Sequence, residues 1–334
     1  MIRVGIVGFG FMGRMHYRNW LNVAGAELVA VQDVAIEDVK SRLGTTGNIA
    51  GAADTIDLGR VRLFSDFDAM LAEMKLDAVS ITVPTFLHAT LTERALKAGV
   101  HVLCEKPMAL TLPECDRMIA AAKSAGKWLQ IGQCIRFWPE YVAAREIIQN
   151  GTYGALLAAS FRRLGSLPNW NPDKWFADEQ RSGGVALDLH CHDTDYVHYL
   201  LGVPRAVFSV MDGGRRHMQT QYLYDNDAAV SAEASWAMPT SFGFEMSFTI
   251  VLERATLQFD CTRNPAFRVC PADGAPFTPE LLPGDGYSRE IEHFAGVVAG
   301  NPLPQVLTAG QSRETIRIVL AEKNSAQRKE IVHL

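Results

Sequence analysis

The chain has 334 residues, of which 48% are apolar and 21% are charged, and its formal net charge is −5 at pH 7. This balance is typical of a globular protein of about two domains, and it excludes a chain that is disordered throughout. The acidic balance, together with the absence of any run of five or more Lys or Arg, argues against nucleic-acid binding.

Membrane insertion and export are not expected either. The apolar stretch 78–92 contains Pro84, His88 and four threonines, which is unlike a membrane span. The first residues, MIRVGIVGFGFMG, lack the three regions of a signal peptide. None of the six cysteines forms a CxxC pair, and several lie in apolar runs, which favours free thiols in a cytoplasmic protein.

Strand-forming runs alternate with helical periodicity in the first third of the chain. The predicted strands are 2–7, 27–32, 61–64, 78–83, 101–104 and 128–131, and the predicted helices are 12–23, 66–73, 87–98 and 112–125. Helix C-caps are expected at Gly25, Gly44, Gly99 and Gly126. This alternation predicts an α/β fold with a doubly wound parallel sheet, a Rossmann domain over 1–130.

The remainder, 131–334, is predicted to be a second α/β domain with a large, mostly antiparallel open sheet. The predicted helices are 140–150, 184–201, 288–299 and 308–321, and the predicted strands are 156–163, 207–211, 228–236, 242–252 and 256–259. A loop rich in Pro, Trp and Asn is expected at 165–181, and ordinary loops at 265–283. The last helix is expected to pack back on the first domain.

A GxGxxG motif follows the first strand and opens the first helix. It consists of Gly8, Phe9, Gly10, Phe11, Met12 and Gly13. Its glycines permit a tight turn, close approach of a pyrophosphate and close packing of helix on strand, while the helix N-terminus attracts phosphate. The motif is weak alone, but its position between strand and helix predicts a cofactor-binding turn.

Asp33 lies 20 residues beyond Gly13, at the end of the second predicted strand, where a carboxylate can accept hydrogen bonds from a ribose diol. The negative charge of Asp33 would repel the 2′-phosphate of NADP. The next three residues, Val34, Ala35 and Ile36, offer no basic group to bind that phosphate, so NAD is favoured over NADP. The alternative is a carboxylate that caps a helix or turn.

Lys106, in the segment Glu105-Lys106-Pro107, follows the predicted strand 101–104. Open parallel sheets bind ligands at the carboxyl ends of their strands, so its ammonium could reach a substrate oxygen. A lysine in such a loop could equally form an exposed ion pair.

Asp188 and His192 are four residues apart on the predicted helix 184–201 and should share a face, with Asp195 on the same stripe. Metal binding by Asp188, His190, His192 and Asp193 is an alternative. It is disfavoured because histidines two apart on a helix point in different directions, and no metal is predicted.

Over nearly its whole length the sequence resembles the glucose–fructose oxidoreductase/inositol dehydrogenase/rhizopine-catabolism (Gfo/Idh/MocA) family. The matching blocks are GFGFMG at 8–13, Asp33, TVPTFLH at 82–88, AGVHVLCEKPMALT at 98–111, SGG at 182–184, LDLHCHDTDYVHYLLG at 187–202 and NSAQRKEIVHL at the end. The resemblance implies a Rossmann domain followed by an open-sheet domain, and nicotinamide-dependent oxidation or reduction of sugars, inositols and related polyols.

The resemblance also implies roles for individual residues. Lys106 would be catalytic, with a cis peptide bond to Pro107, and Glu105 would help to fix the nicotinamide riboside. The cofactor-lining block would supply Thr82, Pro84, Thr85 and His88. Arg136 resembles a family arginine near the interdomain cleft, and Trp175 resembles a tryptophan that precedes SGG, so both are candidates for substrate binding. Trp170 and Asn171 are further candidates, because aromatic rings and amides are residue types that bind sugars.

The pair Asp188 and His192 matches the DxxxH spacing of the family's catalytic acid and histidine. A neutral imidazole at His192 could remove the hydroxyl proton, while the carboxylate orients the substrate or raises the basicity of the imidazole. Lys106 would stabilise the developing alkoxide. His190 departs from the small residue common in the family and could alter the substrate pocket.

Two other functions remain open. Some relatives use NAD transiently to process glycosides, with the cofactor recycled internally, and others are non-enzymatic dinucleotide-sensing regulators. Regulators tend to lose the lysine and the Asp/His pair, which this chain keeps. The resemblance further implies a homodimer or homotetramer that pairs through the strands between 205 and 259.

Overall fold

The computed structural model describes residues 1–38, 56–168 and 173–334. These residues divide into two compact units that each combine separate stretches of chain. The first unit comprises Met1–Cys134, Pro168–Ser182 and Gly286–Arg313, and the second comprises Ile135–Leu167, Gly183–Asp285 and Glu314–Leu334. The sequence predicts a single boundary near residue 130, whereas the structure returns twice to the first unit.

The described elements are as follows. The strands are β1 (Ile2–Val7), β2 (Ala26–Gln32), β3 (Arg62–Phe64), β4 (Ala78–Ile81), β5 (His101–Glu105), β6 (Leu129–Gly132), β7 (Leu156–Leu164), β8 (Ala206–Met211), β9 (His217–Leu223), β10 (Ala229–Ser235), β11 (Glu245–Leu252), β12 (Ala255–Asp260), β13 (Phe267–Pro271) and β14 (Val332–His333). The α-helices are α1 (Phe11–Leu21), α2 (Phe67–Met74), α3 (His88–Lys97), α4 (Leu112–Ala125), α5 (Pro139–Gln149), α6 (Glu179–Ser182), α7 (Cys191–Leu201), α8 (Gly286–Val298) and α9 (Ala309–Arg328).

The first unit contains a six-stranded sheet in the order β3-β2-β1-β4-β5-β6, in which all neighbouring strands are parallel. The predicted Rossmann sheet is therefore confirmed, with strand ends within a few residues of the expected ones. Residues of β1 and β4 are almost wholly buried because helices cover a parallel sheet on both faces. The carboxyl ends of all six strands meet at one edge of the sheet.

Local signals explain where the helices of this unit begin and end. The side chains of Thr111 and Glu114 form a capping box at the start of α4, and Gly126 ends that helix in a left-handed conformation. Asp66 caps α2 by accepting a hydrogen bond from the N–H of Ala69. The predicted cap at Gly44 lies outside the described residues.

Helix α8 belongs to the first unit although it follows the second in sequence. Its Phe294 packs edge-to-face on Trp20 of α1, with ring centroids 6.1 Å apart, and both side chains are buried in the main core cluster. This apolar face explains why a single boundary near residue 130 does not describe the chain: α8 covers the parallel sheet beside α1.

The second unit contains an eight-stranded sheet in the order β13-β12-β11-β7-β10-β9-β8-β14. Its neighbours are antiparallel except for β7 and β10, so the prediction of a mostly antiparallel sheet is confirmed. Along β11, buried Met246, Phe248, Ile250 and Leu252 alternate with more exposed residues. Phe248 meets Tyr141 of α5 edge-to-face at 4.9 Å, which shows that helices cover one face of this sheet.

Three strands of this sheet differ from the sequence prediction. Strands β9 and β14 were not predicted, and β13 lies within 265–283, which was expected to be loop. For β13 the reason is local composition: it ends at Pro271 and forms an edge of the sheet, where proline is tolerated.

The predicted helix 184–201 also differs in detail. It begins as a π-helical turn over Ala186–His190 and continues as α7. Gly183 and Gly184 precede it with φ of +81° and +72°, which accounts for the two glycines of the SGG segment. No helix in the described ranges combines the length and apolarity that crossing a membrane requires.

Candidate active site

The Gly-rich turn joins β1 to α1, and its three glycines have different surroundings. Gly8 has φ of +85°, and a Cβ there would press on the side chain of Val83. A Cβ on Gly13 would overlap the carbonyl oxygen of Gly8, so α1 packs directly against the turn. Gly10, the N-cap of α1, has no described atom within 4 Å of the place where a Cβ would stand. Open space before a helix N-terminus fits a pyrophosphate group.

Asp33 follows β2 and binds the Gly-rich turn. Its Oδ2 accepts a hydrogen bond from the backbone N–H of Phe9 at 2.8 Å, and its Oδ1 accepts one from the N–H of Ala35 at 2.9 Å. The carboxylate thus fixes the turn to the end of β2, as the capping alternative requires, while its position after the second strand is the one expected of a ribose-binding acid.

The loop after β4 carries the predicted cofactor-lining block. Thr82 is buried, and its Oγ1 lies 2.6 Å from the carbonyl oxygen of Gly8 and 3.1 Å from that of Val7. The Thr85 hydroxyl is also buried and has no hydrogen-bond partner among the described residues. Since β4 neighbours β1 in the sheet, an unpaired hydroxyl in this loop fits a contact with a nucleotide.

His88 is buried at the start of α3 and binds two backbone carbonyls. Its Nδ1 lies 2.8 Å from the oxygen of Pro107, and its Nε2 lies 3.0 Å from that of Val83. Burial lowers the pKa of His88 although both carbonyls favour the charged ring. Through these two contacts His88 connects the loop after β4 with the segment that follows β5, although a neutral ring donates to only one carbonyl at a time.

The Glu105-Lys106-Pro107 segment ends β5 at the same sheet edge as the Gly-rich turn. The Lys106–Pro107 bond is cis, which confirms that expectation. The backbone N–H of Lys106 donates to Oε2 of Glu105 at 3.1 Å, and the lysine side chain is half-buried. Glu105 is buried, and its carboxylate contacts the imidazole of His16 and the backbone N–H of Lys106.

In the second unit, Asp188 lies in the π-helical turn and His192 in the first turn of α7. Asp188 is 7% exposed and His192 is half-buried. Four residues of α-helix advance by about 400°, and a π turn is wider, so the two residues stay close to one helix face. The shared face itself stays a prediction from the DxxxH spacing.

The other acids of this segment are engaged in buried ion pairs. Asp193 pairs with Arg163 through two bonds of 3.0 Å. Asp195 pairs with Arg136, a residue whose side chain is 0% exposed. In the described part of the chain, the group of three potential metal ligands that come together is His16, Glu105 and Glu290, and not the segment 188–193.

Trp175 is 8% exposed and stacks on Phe176 with ring centroids 3.9 Å apart. It belongs to the first unit, in the stretch Pro168–Ser182. Substrate contact by Trp175 and by Arg136 stays a prediction. Trp170 and Asn171 lie outside the described residues.

Two family models match most of the chain. Residues 2–133 match the NAD-binding Rossmann domain of the Gfo/Idh/MocA oxidoreductase family, and residues 141–258 match a C-terminal domain of the same family. The chain belongs to the Gfo/Idh/MocA family. It is accordingly an oxidoreductase, and the two matched regions correspond to the parallel and the mostly antiparallel sheets.

Individual relatives of this Gfo/Idh/MocA protein differ in cofactor. It is 27% identical to a D-xylose 1-dehydrogenase (NADP(+)) from Haloferax volcanii over 90% of this chain and 93% of the relative. It is 25% identical to a scyllo-inositol 2-dehydrogenase (NAD(+)) from Bacillus subtilis over 97% and 94%. An aldose–aldose oxidoreductase structure from Caulobacter crescentus superposes with a TM-score of 0.83 over 100% and 99% of the chains, at 22% identity, which supports the fold.

Sequence reasoning missed His16, which lies on α1 three residues after Gly13. Its Nε2 is 2.9 Å from Oε1 of Glu105, and both side chains are buried. The available signal was its helical spacing from Gly13, which places a polar side chain on the face that packs against the sheet.

Sequence reasoning also missed a buried polar network around His190 in the second unit. The His190 Nε2 lies 3.1 Å from Thr220 Oγ1 and 3.4 Å from Glu322 Oε2, and Thr194 Oγ1 donates to Glu322 Oε1 at 3.0 Å. His190 thus contacts strand β9 and helix α9. Its partners lie 30 or more residues away in sequence, where no local pattern could indicate them.

Proposed function

We propose that this protein is an NAD-dependent dehydrogenase that oxidises a CH–OH group of a sugar, an inositol or a related polyol. The observation that carries the proposal is the meeting of a Gly-rich turn, a carboxylate after β2 and the lysine after β5 at one edge of a parallel sheet. The sugar and inositol dehydrogenases among its relatives support the substrate class.

The residues at this edge fit a dinucleotide. Gly10 leaves space for the pyrophosphate, Thr85 offers a buried hydroxyl, and the position of Asp33 directly after β2 supports a contact with the ribose diol. When bound, the nicotinamide would exchange hydride with the substrate carbon. We propose NAD rather than NADP because Asp33 would repel a 2′-phosphate and Val34, which follows it, is exposed and uncharged.

We assign three catalytic residues. His192 accepts the proton of the substrate hydroxyl, since a neutral imidazole is a suitable base near neutral pH. Asp188 orients the hydroxyl or the imidazole. Lys106 would stabilise, by its positive charge, the alkoxide that forms as the proton leaves.

We further propose a homodimer or homotetramer in the cytoplasm. One face of the eight-stranded sheet is polar and exposed, and it carries Arg162 between Glu233 and Glu245 at 3.1 Å from each carboxylate. A second copy could cover this face. All six cysteines are free thiols, in keeping with a reducing compartment. Light scattering coupled to gel filtration tests the oligomer.

A substrate screen tests the function. Purified protein is incubated with NAD and, separately, aldoses, inositols, sugar acids and glycosides, and NADH absorbance is followed. The proposal requires NADH formation with at least one polyol and its loss in Lys106→Ala. Glycoside cleavage without net NADH would indicate a recycled cofactor, and NAD binding without turnover of any class would contradict a dehydrogenase.

A further inference from the structure

The buried contact between His16 and Glu105 joins the nucleotide-binding helix to the segment that carries the catalytic lysine. We propose that His16 is a positioning residue for Lys106 and that it acts through the carboxylate of Glu105. This inference rests on the proposed function, because it gives Lys106 a catalytic task. It adds a residue outside the predicted site to the machinery of that task.

The two oxygens of Glu105 are divided between two partners. Oε1 lies 2.9 Å from Nε2 of His16, and Oε2 accepts the backbone N–H of Lys106 at 3.1 Å. The His16 and Glu105 side chains are 0% and 7% exposed. Because water is excluded, the orientation of the carboxylate depends on the protein groups that bind it, and the backbone of Lys106 is one of them.

Helix α1 holds His16 at a fixed depth on the sheet. Gly13 lies against the carbonyl of Gly8, and one turn beyond His16 the indole of Trp20 donates to Ser80 Oγ on β4 at 2.8 Å. These two contacts lie on either side of His16 along the same helix face. The backbone contact at Gly13, three residues before His16, brings the imidazole to the carboxylate, and the Trp20 contact adds to the stability of the helix.

The carboxylate is also confined from the opposite side. A Cβ on Gly132 of β6 would stand 3.3 Å from the carboxyl carbon and both oxygens of Glu105. Glycine therefore allows β6 to pass close to the acid. Burial opposes ionisation of Glu105, but His16 and Lys106 hold its pKa below the usual range. The carboxylate is thus charged as well as oriented.

Glu290 of α8 lies close to His16 and Glu105. One potential metal-ligand atom from each of the three residues lies within 4.8 Å of the other two. These residue types could also hold a divalent cation. Hydrogen bonding accounts better for the geometry, because Glu105 already bonds an imidazole and a backbone N–H at ordinary distances. We expect dialysis against EDTA to leave activity unchanged, and loss that a metal restores would overturn the proposal.

The decisive variants are His16→Ala and His16→Gln, with Trp20→Phe as the matched control. Gln carries an N–H at a position equivalent to Nε2, so it can still donate to Glu105, whereas Ala cannot. Trp20 is equally buried on the same helix but contacts Ser80 rather than Glu105. Each variant is assayed for kcat and KM, and for NAD affinity by fluorescence titration.

His16→Ala should lower kcat by roughly 10- to 100-fold, the loss typical of a residue that orients a catalytic group. Its NAD affinity should change by less than about threefold, and His16→Gln should recover most of kcat. Trp20→Phe should lower the melting temperature without this loss of kcat. Unchanged kcat in His16→Ala, or an equal loss in Gln and Ala, would overturn the proposal.

A second measurement does not depend on turnover. Lysines are labelled by reductive ¹³C-methylation, and the Lys106 signal is assigned from its absence in Lys106→Arg. His16→Ala should shift this signal, whereas Trp20→Phe should leave it in place. A shift in a protein that oxidises no polyol would reject the proposed function alone, and an unmoved signal would reject the role of His16 alone.

Discussion

Arg136 and Asp195 form a buried ion pair with two parallel hydrogen bonds. Arg136 Nε lies 2.8 Å from Oδ2 of Asp195, Arg136 Nη2 lies 2.7 Å from Oδ1, and Thr315 Oγ1 donates to the same Oδ1 at 2.8 Å. The guanidinium also lies 4.4 Å from the ring centroid of Tyr199. The pair therefore connects the turn before α5 with helices α7 and α9.

We expect Asp195→Leu to lower the free energy of unfolding by about 3–5 kcal/mol, because it leaves a buried guanidinium without its carboxylate. The double variant Arg136→Met/Asp195→Leu should be destabilised by much less than the sum of the two single variants, since no charge remains buried. Urea unfolding of all four proteins measures this coupling. Additive effects would show that the two side chains act independently.

The Gly-rich turn offers a pair of substitutions with opposite expectations. Gly13→Ala should destabilise the protein, because its Cβ would overlap the Gly8 carbonyl. Gly10→Ala should leave the melting temperature nearly unchanged, since its Cβ would enter open space, but it should weaken NAD binding about tenfold or more by occupying the place proposed for pyrophosphate. Thermal unfolding and NAD titration separate the two effects. Tight NAD binding by Gly10→Ala would contradict the placement of the phosphates.

Much of the first unit could be predicted from the sequence because its signals are local. The bounds of β1 and α4 agree with those expected. The β-forming run of β1 ends at a glycine, and α4 starts at a capping box and ends at Gly126. The close packing of Gly13 on the turn at Gly8 likewise follows from a motif of six adjacent residues. A cofactor contact at Thr82 stays a prediction.

The features that sequence reasoning missed depend on distant partners. His16 meets a residue 89 positions away, and His190 meets a residue more than 100 positions away. Helix α8 joins the first unit through an aromatic contact between α1 and a segment at the far end of the chain. Edge strand β13 has proline at its end and gains its pairing from β12, so composition alone indicated a loop.

Cofactor choice should depend on Asp33. We expect the wild-type protein to bind NAD more tightly than NADP, and we expect Asp33→Asn to narrow that preference by removing the charge that opposes a 2′-phosphate. Because Asp33 also binds the N–H groups of Phe9 and Ala35, affinity for both cofactors should fall somewhat. Fluorescence titration with each cofactor measures the ratio. Equal or tighter binding of NADP by the wild type would reject the assignment.

The assigned catalytic residues predict an order of effects. Lys106→Ala should lower turnover by orders of magnitude while NAD binding is largely kept. A base must be neutral to act, so kcat/KM for oxidation should rise with pH as the base loses its proton, and His192→Ala should abolish most of this rise. Asp188→Asn should be less damaging than His192→Ala. The reverse order, or a rise that survives in His192→Ala, would move proton removal to another group, with Lys106 first to be examined.

The His190–Glu322 contact predicts a particular dependence of stability on pH. Burial raises the pKa of Glu322 to about 8 and lowers that of His190 to about 3. Near neutral pH both side chains are therefore uncharged, and the contact is a neutral one between an acid and an imidazole. The hydroxyls of Thr194 and Tyr222 complete the surroundings of the acid.

Comparison with the unfolded chain gives the direction of the effect. In the unfolded chain Glu and His have their ordinary pKa values, 4.5 and 6.5. The folded pair keeps one proton between about pH 3 and pH 8. From about 3 to 4.5 the unfolded chain holds more protons, so stability rises with pH, and from 4.5 to 6.5 the two states hold equal numbers. From 6.5 to 8 the folded state holds one more proton, so stability falls as pH rises, by on the order of 2 kcal/mol.

Glu322→Gln should remove that fall, because a neutral amide keeps the size of the acid and has no proton to lose. Because the two proteins differ only at Glu322, the difference in free energy of unfolding between this variant and the wild type should move in favour of the variant from about pH 4.5, the ordinary pKa of Glu, to about pH 8, and level off above. Urea unfolding at pH 5.5, 6.5, 7.5 and 8.5 measures it, with Glu330→Gln, an exposed glutamate of the same C-terminal region, as the control. A difference that stays constant across this range would show that folding does not raise the pKa of Glu322, and a change that Glu330→Gln reproduces would show that it does not arise from Glu322.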